Sequence, residues 1–272
     1  MALTYPLEQV RTLIQAGDLT TVPKKYQVFG GTAGRILFIA CEDERGVQFL
    51  YQGCFAVLET VAVSNFLYFY TNNWVKDFLA VKLYMSPTTL SLTSSSVAAA
   101  VNIFITEPLW KANTVLKTLP AGEARKNSLI SVLSTLIHKE GLKSLWNGTK
   151  VSLWLISNPI IQFSVYEYLK RQVVRRRRSV SSLHAFLIGA LSKAVATLVT
   201  YPLQIAQTRL RVEKGKKSMR DILTQLYAEK GINGLFHGCD AKMTQTVLTA
   251  AFMFLFYERI HDLLNRTVRG KR

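Results

Sequence analysis

The strongest constraint on this chain is a pattern that occurs three times: TYPLEQVRTLIQAG from Thr4, TEPLWKANTVLKTL from Thr106 and TYPLQIAQTRLRV from Thr200. Each copy has Thr two residues before a proline (Pro6, Pro108 or Pro202) and Leu one residue after it. A second element follows every copy: a glycine, four residues, an aromatic, one residue and another glycine. It reads GVQFLYQG from Gly46, GLKSLWNG from Gly141 and GINGLFHG from Gly231. Two separate elements recurring in one order define an internal repeat, and such units bury their faces against their own copies. The repeats are expected over residues 1–80, 90–172 and 182–265.

Each repeat continues from its second glycine into an apolar run: GCFAVLETVAVSNFLYFYT after Gln52, VSLWLISNPIIQFSVY after Lys150 and KMTQTVLTAAFMFLFY after Ala241. These approach the ~20 residues that a bilayer core requires. Two further apolar stretches, Val97–Leu109 and Leu183–Leu203, lead into the later prolines, which makes five spans. Repeat logic asks for a sixth before Pro6, where only five residues stand. The first helix is therefore expected to be truncated at its N-terminus, with a seam in the wall beside it. MALTYPLEQV has neither a secretory apolar region nor an Arg-rich presequence.

Composition agrees with a membrane protein whose interior is polar: 49% of residues are hydrophobic and 19% charged, and the mean hydropathy is +0.16. A net charge of +17 points to anionic partners. The apolar spans count against nucleic acid as that partner. Cys41, Cys54 and Cys239 have no metal spacing and read as reduced thiols. His138, His184, His237 and His261 show no ligand spacing either, so no metal is expected. No catalytic constellation is present, and the chain is not expected to be an enzyme.

The threefold Pro-x-acid-x-x-base motif, the glycine-bracketed aromatic and the aromatic-acid-x-x-base motif resemble those of the mitochondrial carrier family, solute carrier family 25. The first motif is complete in PLEQVR (Pro6, Glu8, Arg11); the last is good in YEYLK (Tyr166, Glu167, Lys170) and partial in YERIH (Tyr257, Glu258, His261). EPLWKANTVLK, LWNGTKVSLWLISNPIIQF and QTVLTAAFMFLFYE are similar to the peroxisomal branch, and NPIIQF also resembles mitochondrial folate/FAD and NAD carriers.

The resemblance implies an all-α membrane protein, a threefold pseudo-symmetric six-helix carrier barrel. The implied function is alternating-access transport of nucleotide-like cofactors (CoA, FAD or FMN, NAD, AMP, ADP, ATP) across the peroxisomal membrane, with none bound permanently. The alternatives are a mitochondrial inner-membrane FAD/folate/NAD carrier, or a truncated, non-transporting remnant or scaffold. Implied partners are membrane lipid, anionic solutes and a peroxisomal membrane-protein import receptor, with the chain itself a monomer. In such carriers the helices kink at Pro6, Pro108 and Pro202 and converge to close the cavity. An interior proline costs a helix roughly 3 kcal/mol. Neighbouring helices and Thr hydroxyls can re-satisfy the freed groups in a membrane, a role expected of Thr4, Thr106 and Thr200.

Polar residues at helical spacing mark the face lining the cavity. Lys193, Thr197, Thr200, Gln204 and Gln207 form one stripe, and an ionisable group inside an apolar run is a functional candidate by default. Weaker stripes hold Asn102, Thr106, Trp110 and Asn113; Lys242, Gln245 and Thr249; Asn158 and Gln162; and Thr60, Asn65 and Tyr68, with Glu59 nearby. Lys193 and Lys242 suit phosphate. Gln245, Thr197, Asn158, Gln162, Thr60 and Asn65 suit base, ribose or amide edges, and Trp110, Trp154 or Tyr68 can stack on a ring.

The inner gate departs from the family motif. Glu8 and Arg11 are charged, but the equivalent positions hold Trp110 and Asn113, then Gln204 and Gln207. By the family's ring order Glu8 is expected to meet Asn113 and Arg11 to meet Gln204, which makes a weakly held gate. The outer gate is assigned to Lys76, Tyr166, Glu167, Lys170, Tyr257, Glu258 and His261. Arg175, Arg176, Arg177 and Arg178 form a targeting candidate in the loop that follows.

Overall fold

The computed structural model describes residues 4–16, 34, 36, 39, 41, 46–82, 84, 86–120, 127–177, 182–213 and 217–269, and every regular element among them is helical. In chain order these are α1 (Tyr5–Ala16), α2 (Gly46–Phe49), α3 (Cys54–Lys82), α4 (Pro87–Thr118), α5 (Leu129–Glu140), a 3-10 turn (Leu142–Trp146), α6 (Thr149–Trp154), α7 (Ser157–Arg177), α8 (Ser182–Val212), α9 (Met219–Leu235) and α10 (Cys239–Arg269). Two long-helix pairs dominate the packing, α3 with α4 and α7 with α8, and α1 packs on α10. The proline helices α1, α4 and α8 also meet one another.

There is no single central core. Each proline helix packs its post-proline half into a small apolar cluster of its own. Val10, Leu13 and Ile14 pack with Ile39, Phe49, Leu50 and Ala241. Ala112 and Leu116 pack with Leu129, Val132, Leu136 and Leu145. Ile205, Ala206 and Leu210 pack with Val151, Ile222 and Leu226. These clusters hold α5 and α9 against their proline helices. Ser128 starts α5 by accepting from the Ser131 amide, and Ser218 starts α9 with a capping box closed by Asp221. The buried groups where the proline helices meet are instead polar: Gln9, Gln15, Glu107 and Lys117. Large apolar side chains point outward, among them Phe66, Phe69, Trp74, Phe104, Leu187 and Val199. A polar inside with an apolar outside suits a bilayer as solvent.

Pro108 and Pro202 lie inside continuous helices, and Pro6 lies in the first turn of α1. The threonine reading needs correction. Thr106 donates to the Asn102 carbonyl (2.7 Å) and Thr200 to the Ala196 carbonyl (2.8 Å), each one turn behind itself. The carbonyl that Pro108 frees belongs to Phe104, and Trp146 Nε1 donates to it at 2.8 Å. The aromatic of the second glycine bracket therefore repairs the kink in α4.

Among the described residues, three segments are long and apolar enough to cross a membrane: Gly46–Lys82, Thr89–Thr118 and Leu183–Val212. The two other expected spans fall outside this count for local reasons. The apolar run from Val151 breaks at Leu155–Ile156 into α6 and α7, and α7 ends in a basic turn. Polar and charged residues such as Asp240, Lys242, Gln245 and Glu258 dilute α10. Helix α1 has 12 residues, about 18 Å at ~1.5 Å per residue.

Candidate functional site

Between α7, α8 and α10 lies a cavity of about 770 Å³, lined by Gln162, Lys193, Lys242, Gln245 and Thr249 among apolar residues that include Phe186 and Met253. This is within the ~300–1,000 Å³ of small-molecule sites. Lys193 Nζ donates to Asn158 Oδ1 at 3.0 Å, and Asn158 Nδ2 donates to Thr200 Oγ1 at 2.7 Å. Gln204 Nε2 donates to the same hydroxyl at 3.1 Å. The stripes of α7 and α8 are thus joined into one polar wall. Thr197 Oγ1 and Gln245 Oε1 are buried without a hydrogen-bond partner.

Below this cavity the proline helices enclose a smaller polar cleft of about 100 Å³, lined by Glu8, Arg11, Trp110, Asn113, Gln204, Gln207 and their neighbours. Three crossings surround it, built from the same repeat positions. The residue just before the proline meets the residue nine after the proline of a neighbouring helix, beside the second glycine of its own repeat.

At the first crossing Tyr5 donates to the Gln52 carbonyl (2.7 Å), and Lys117 Nζ stands 5.1 Å from the Tyr5 ring centre and 2.7 Å from Glu8 Oε1. At the second, Arg211 grips Glu107 through two bonds of 2.9 and 3.1 Å, and Ser152 donates to the same carboxylate at 2.7 Å. The Glu107 side chain is only 2% exposed. At the third, Tyr201 donates to the His237 carbonyl (2.8 Å) and accepts from Gln15 Nε2 (3.2 Å). The glycines permit the close approach: a Cβ on Gly148 would stand 2.5 Å from Glu107 Oε1, and one on Gly238 would stand 2.8 Å from Ile14 Cγ2.

The expected gate pairings are corrected here. Glu8 meets Lys117, not Asn113. Asn113 donates to Thr60, whose hydroxyl is buried in the wall between α3 and α4. Arg11 does not meet Gln204, which donates to Thr200, and Gln207 donates to Ser152 at 2.6 Å. Nor is the gate short of ion pairs. Its bases have moved one helical turn, from five residues after the proline to nine after it, at Lys117 and Arg211. Sequence reasoning missed Glu107, Lys117, Arg211 and Gln15. Aligning the repeats one residue before the proline and nine after it exposes the signal: Tyr, Glu, Tyr against Gln, Lys, Arg. It also missed Lys111, buried and bonded to Glu140 (2.7 Å), which ties α5 to α4.

On the other side of the cavity, no ion pair joins assigned gate residues of different helices among the described residues. Lys76 is exposed. Lys170 stands 3.9 Å from Glu167 within its own helix and 5.7 Å from the Tyr166 ring centre. The side chains of Tyr257, Glu258 and His261 lie outside the described residues, as do those of Arg176 and Arg177 and the whole of Arg178; Arg175 is exposed. Asn65 and Trp154 are exposed, and Tyr68 lies edge-on to Phe69 at 5.6 Å. Of the three aromatics expected to stack on a ring, Trp110 lines the cleft. Cys41, Cys54 and Cys239 are free thiols.

Comparison with known proteins follows the same three units. A family model described as mitochondrial carrier protein matches residues 1–83, 85–177 and 178–268. Among relatives, the chain is similar to peroxisomal membrane protein PMP34 of Mus musculus, with 38% identity over 96% of this chain and 87% of the relative. It is 30% identical to peroxisomal adenine nucleotide carrier 1 of Glycine max, over 95% of this chain and 85% of the relative. It is 26% identical to the peroxisomal nicotinamide adenine dinucleotide carrier of Arabidopsis thaliana, over 95% of this chain and 90% of the relative.

Proposed function

The chain belongs to the mitochondrial carrier family, and from that premise we propose that it carries nucleotide-like cofactors across the peroxisomal membrane by alternating access. It is a transporter, not an enzyme. The observation that carries the substrate class is the 770 Å³ cavity with Lys193 and Lys242 on its wall. Two cations in a partly dehydrated chamber favour phosphate. Gln245 and Gln162 on that wall offer amide groups to base and ribose edges, and Trp110 in the cleft below offers a ring face. Relatives whose names specify adenine nucleotides and nicotinamide adenine dinucleotide support the same class. Within it, CoA and FAD are included as substrates.

In this reading the crossings of α1, α4 and α8 close one side of the cavity, while on the other Glu167 and Lys170 pair only within their own helix. Substrate enters there; closure of the outer gate and release of the crossings then deliver it. The basic stretch Arg175–Arg178 acts as the address read by an import receptor, and the carrier works as a monomer.

The test is uptake by the purified chain in liposomes of a panel holding ATP, ADP, AMP, NAD, CoA, FAD and a small dicarboxylate. Uptake of nucleotides without the dicarboxylate is expected. Lys193→Ala should weaken it about tenfold or more, the loss of one charge-assisted hydrogen bond, while membrane insertion is unchanged. Dicarboxylate uptake without nucleotide uptake sinks the proposal.

A further inference from the structure

Helix α7 opens on Ser157, Asn158 and Pro159, just after the break at Leu155–Ile156. Proline is tolerated there because the first amides of a helix have no partner within it. Asn158 lies in the same turn, and both ends of its side-chain amide are engaged. Nδ2 donates to the Ala196 carbonyl at 3.1 Å and to Thr200 Oγ1 at 2.7 Å, and Oδ1 accepts from Lys193 Nζ at 3.0 Å. The partners dictate that orientation. A carbonyl can only accept, and Thr200 gives its own hydroxyl proton to the same Ala196 carbonyl at 2.8 Å. The amide nitrogen must therefore face α8, which leaves the oxygen for the ammonium. Asn158 is the one acceptor that Lys193 meets among the described residues. An ammonium has three donors, so two remain for the cavity that Lys193 lines. The threefold fold does not require this bond. Helices α3 and α4 form the equivalent pair and pack closely. Their residues at the positions of Asn158 and Lys193, ten after the second glycine and nine before the proline, are Val63 and Ala99.

We propose that Asn158 is a positioning residue for Lys193: it holds the ammonium against the wall of α7 and α8, with the two free donors turned to the solute, and does not itself touch the solute. The inference rests on the transport reading above and deepens it, because the sequence stripe alone offers Asn158 as a solute ligand. A lysine stem is long and rich in rotamers. Fixing its charged end before the solute arrives removes an ordering cost from binding. Asn158 thus acts only on the charged part of the solute, and only through Lys193. Its own amide is spent on α8 and cannot turn to a base or ribose edge without abandoning Ala196 and Thr200.

The experiment measures inhibition of nucleotide uptake in liposomes by ATP and by adenosine, for the wild type, Asn158→Ala, Lys193→Ala and the double variant. Asn158→Ala should weaken ATP about tenfold, the scale of one charge-assisted hydrogen bond, while adenosine changes little. In the Lys193→Ala background the same substitution should weaken ATP no further, because a residue that acts through another shows its effect in the coupling of the pair. Asn158→Asp keeps the volume of the side chain, so this arm does not depend on the helix pair tolerating a cavity. Its carboxylate takes up the Lys193 charge and should lower the preference for ATP over adenosine further than Asn158→Ala does. A tenfold loss for ATP that persists in the Lys193→Ala background, an equal loss for ATP and adenosine, or an unchanged preference in Asn158→Asp overturns the positioning role and leaves the transport reading intact. A wild type that binds neither ligand overturns both.

Discussion

The three crossings beneath the cavity use the same three positions of the repeat and three different chemistries. At Glu107 and Arg211 the contact is a two-bonded ion pair, almost wholly buried. At Tyr201 and Gln15 it is neutral, a hydroxyl between a carbonyl and an amide. The crossing of Tyr5 and Lys117 lies between the two, with a ring under an ammonium whose charge is met by Glu8. The backbone therefore fixes where the helices touch, and the side chains set how firmly. A tyrosine just before the proline donates to the carbonyl beside its own second glycine. A glutamate there cannot donate when ionised, so it recruits donors: Arg211 and Ser152.

The largest break in that comparison comes from truncating the ion pair. Arg211→Ala leaves a buried carboxylate, and Glu107→Ala leaves a nearly buried guanidinium. Removing one partner of such a pair costs about 3–5 kcal/mol. Thermal unfolding in detergent should show this, and uptake into liposomes with no internal substrate should rise relative to exchange as the closed side loosens. Tyr201→Phe, at the neutral crossing, should lose only about 0.5–1.5 kcal/mol. Equal losses at the two crossings would mean that the chemistry does not grade them.

Lys117→Ala should fall between these, at about 1.5–3 kcal/mol for a charged hydrogen bond. The loss is softened because Arg11 stands one turn beyond Glu8 on the same helix and can take its charge. The double variant Lys117→Ala/Arg11→Gln removes that fallback and should lose more than the two single variants added together, since coupled neighbours are not additive. Strict additivity in thermal unfolding would show that Arg11 does not compensate.

The parts legible in the sequence were those written in one stretch of chain. Pro108 and Pro202 stand inside helices whose patterning runs past them, and Lys193 and Thr200 both reach Asn158 from the single stripe of α8 that helical spacing implies. What spacing does not carry is which turn of one helix faces which turn of another. The motif position pairs Glu8 with Asn113, yet the helices cross one turn lower, where Lys117 arrives first. Thr60 lies on the stripe of α3 but turns into the wall, because Asn113 needed a partner there. The repair of the Pro108 kink was also hidden: it joins Phe104 to Trp146, two residues in different helical elements.

The sharpest use of the comparison is to convert one crossing into another. Glu107→Tyr with Arg211→Gln rewrites the second crossing in the residues of the third. The tyrosine hydroxyl can donate to the carbonyl of Asn147, which precedes Gly148 as His237 precedes Gly238. The glutamine can donate to that hydroxyl as Gln15 does to Tyr201. Ser152 loses a carboxylate acceptor but keeps the Gly148 carbonyl at 3.2 Å and the amide of Gln207 at 2.6 Å. Gly148 has no Cβ, so a tyrosine hydroxyl can approach its backbone as that of Tyr201 does at Gly238. Exchanging a buried ion pair for well-packed neutral groups is often neutral or even stabilising. The double variant should therefore unfold within about 1 kcal/mol of wild type, the scale of one neutral hydrogen bond, whereas Glu107→Tyr alone strands Arg211 and should be far weaker. Thermal unfolding of the two variants side by side decides it. If the double variant is as unstable as the single one, the crossings are not interchangeable, and the acid at position 107 answers to something other than the threefold geometry.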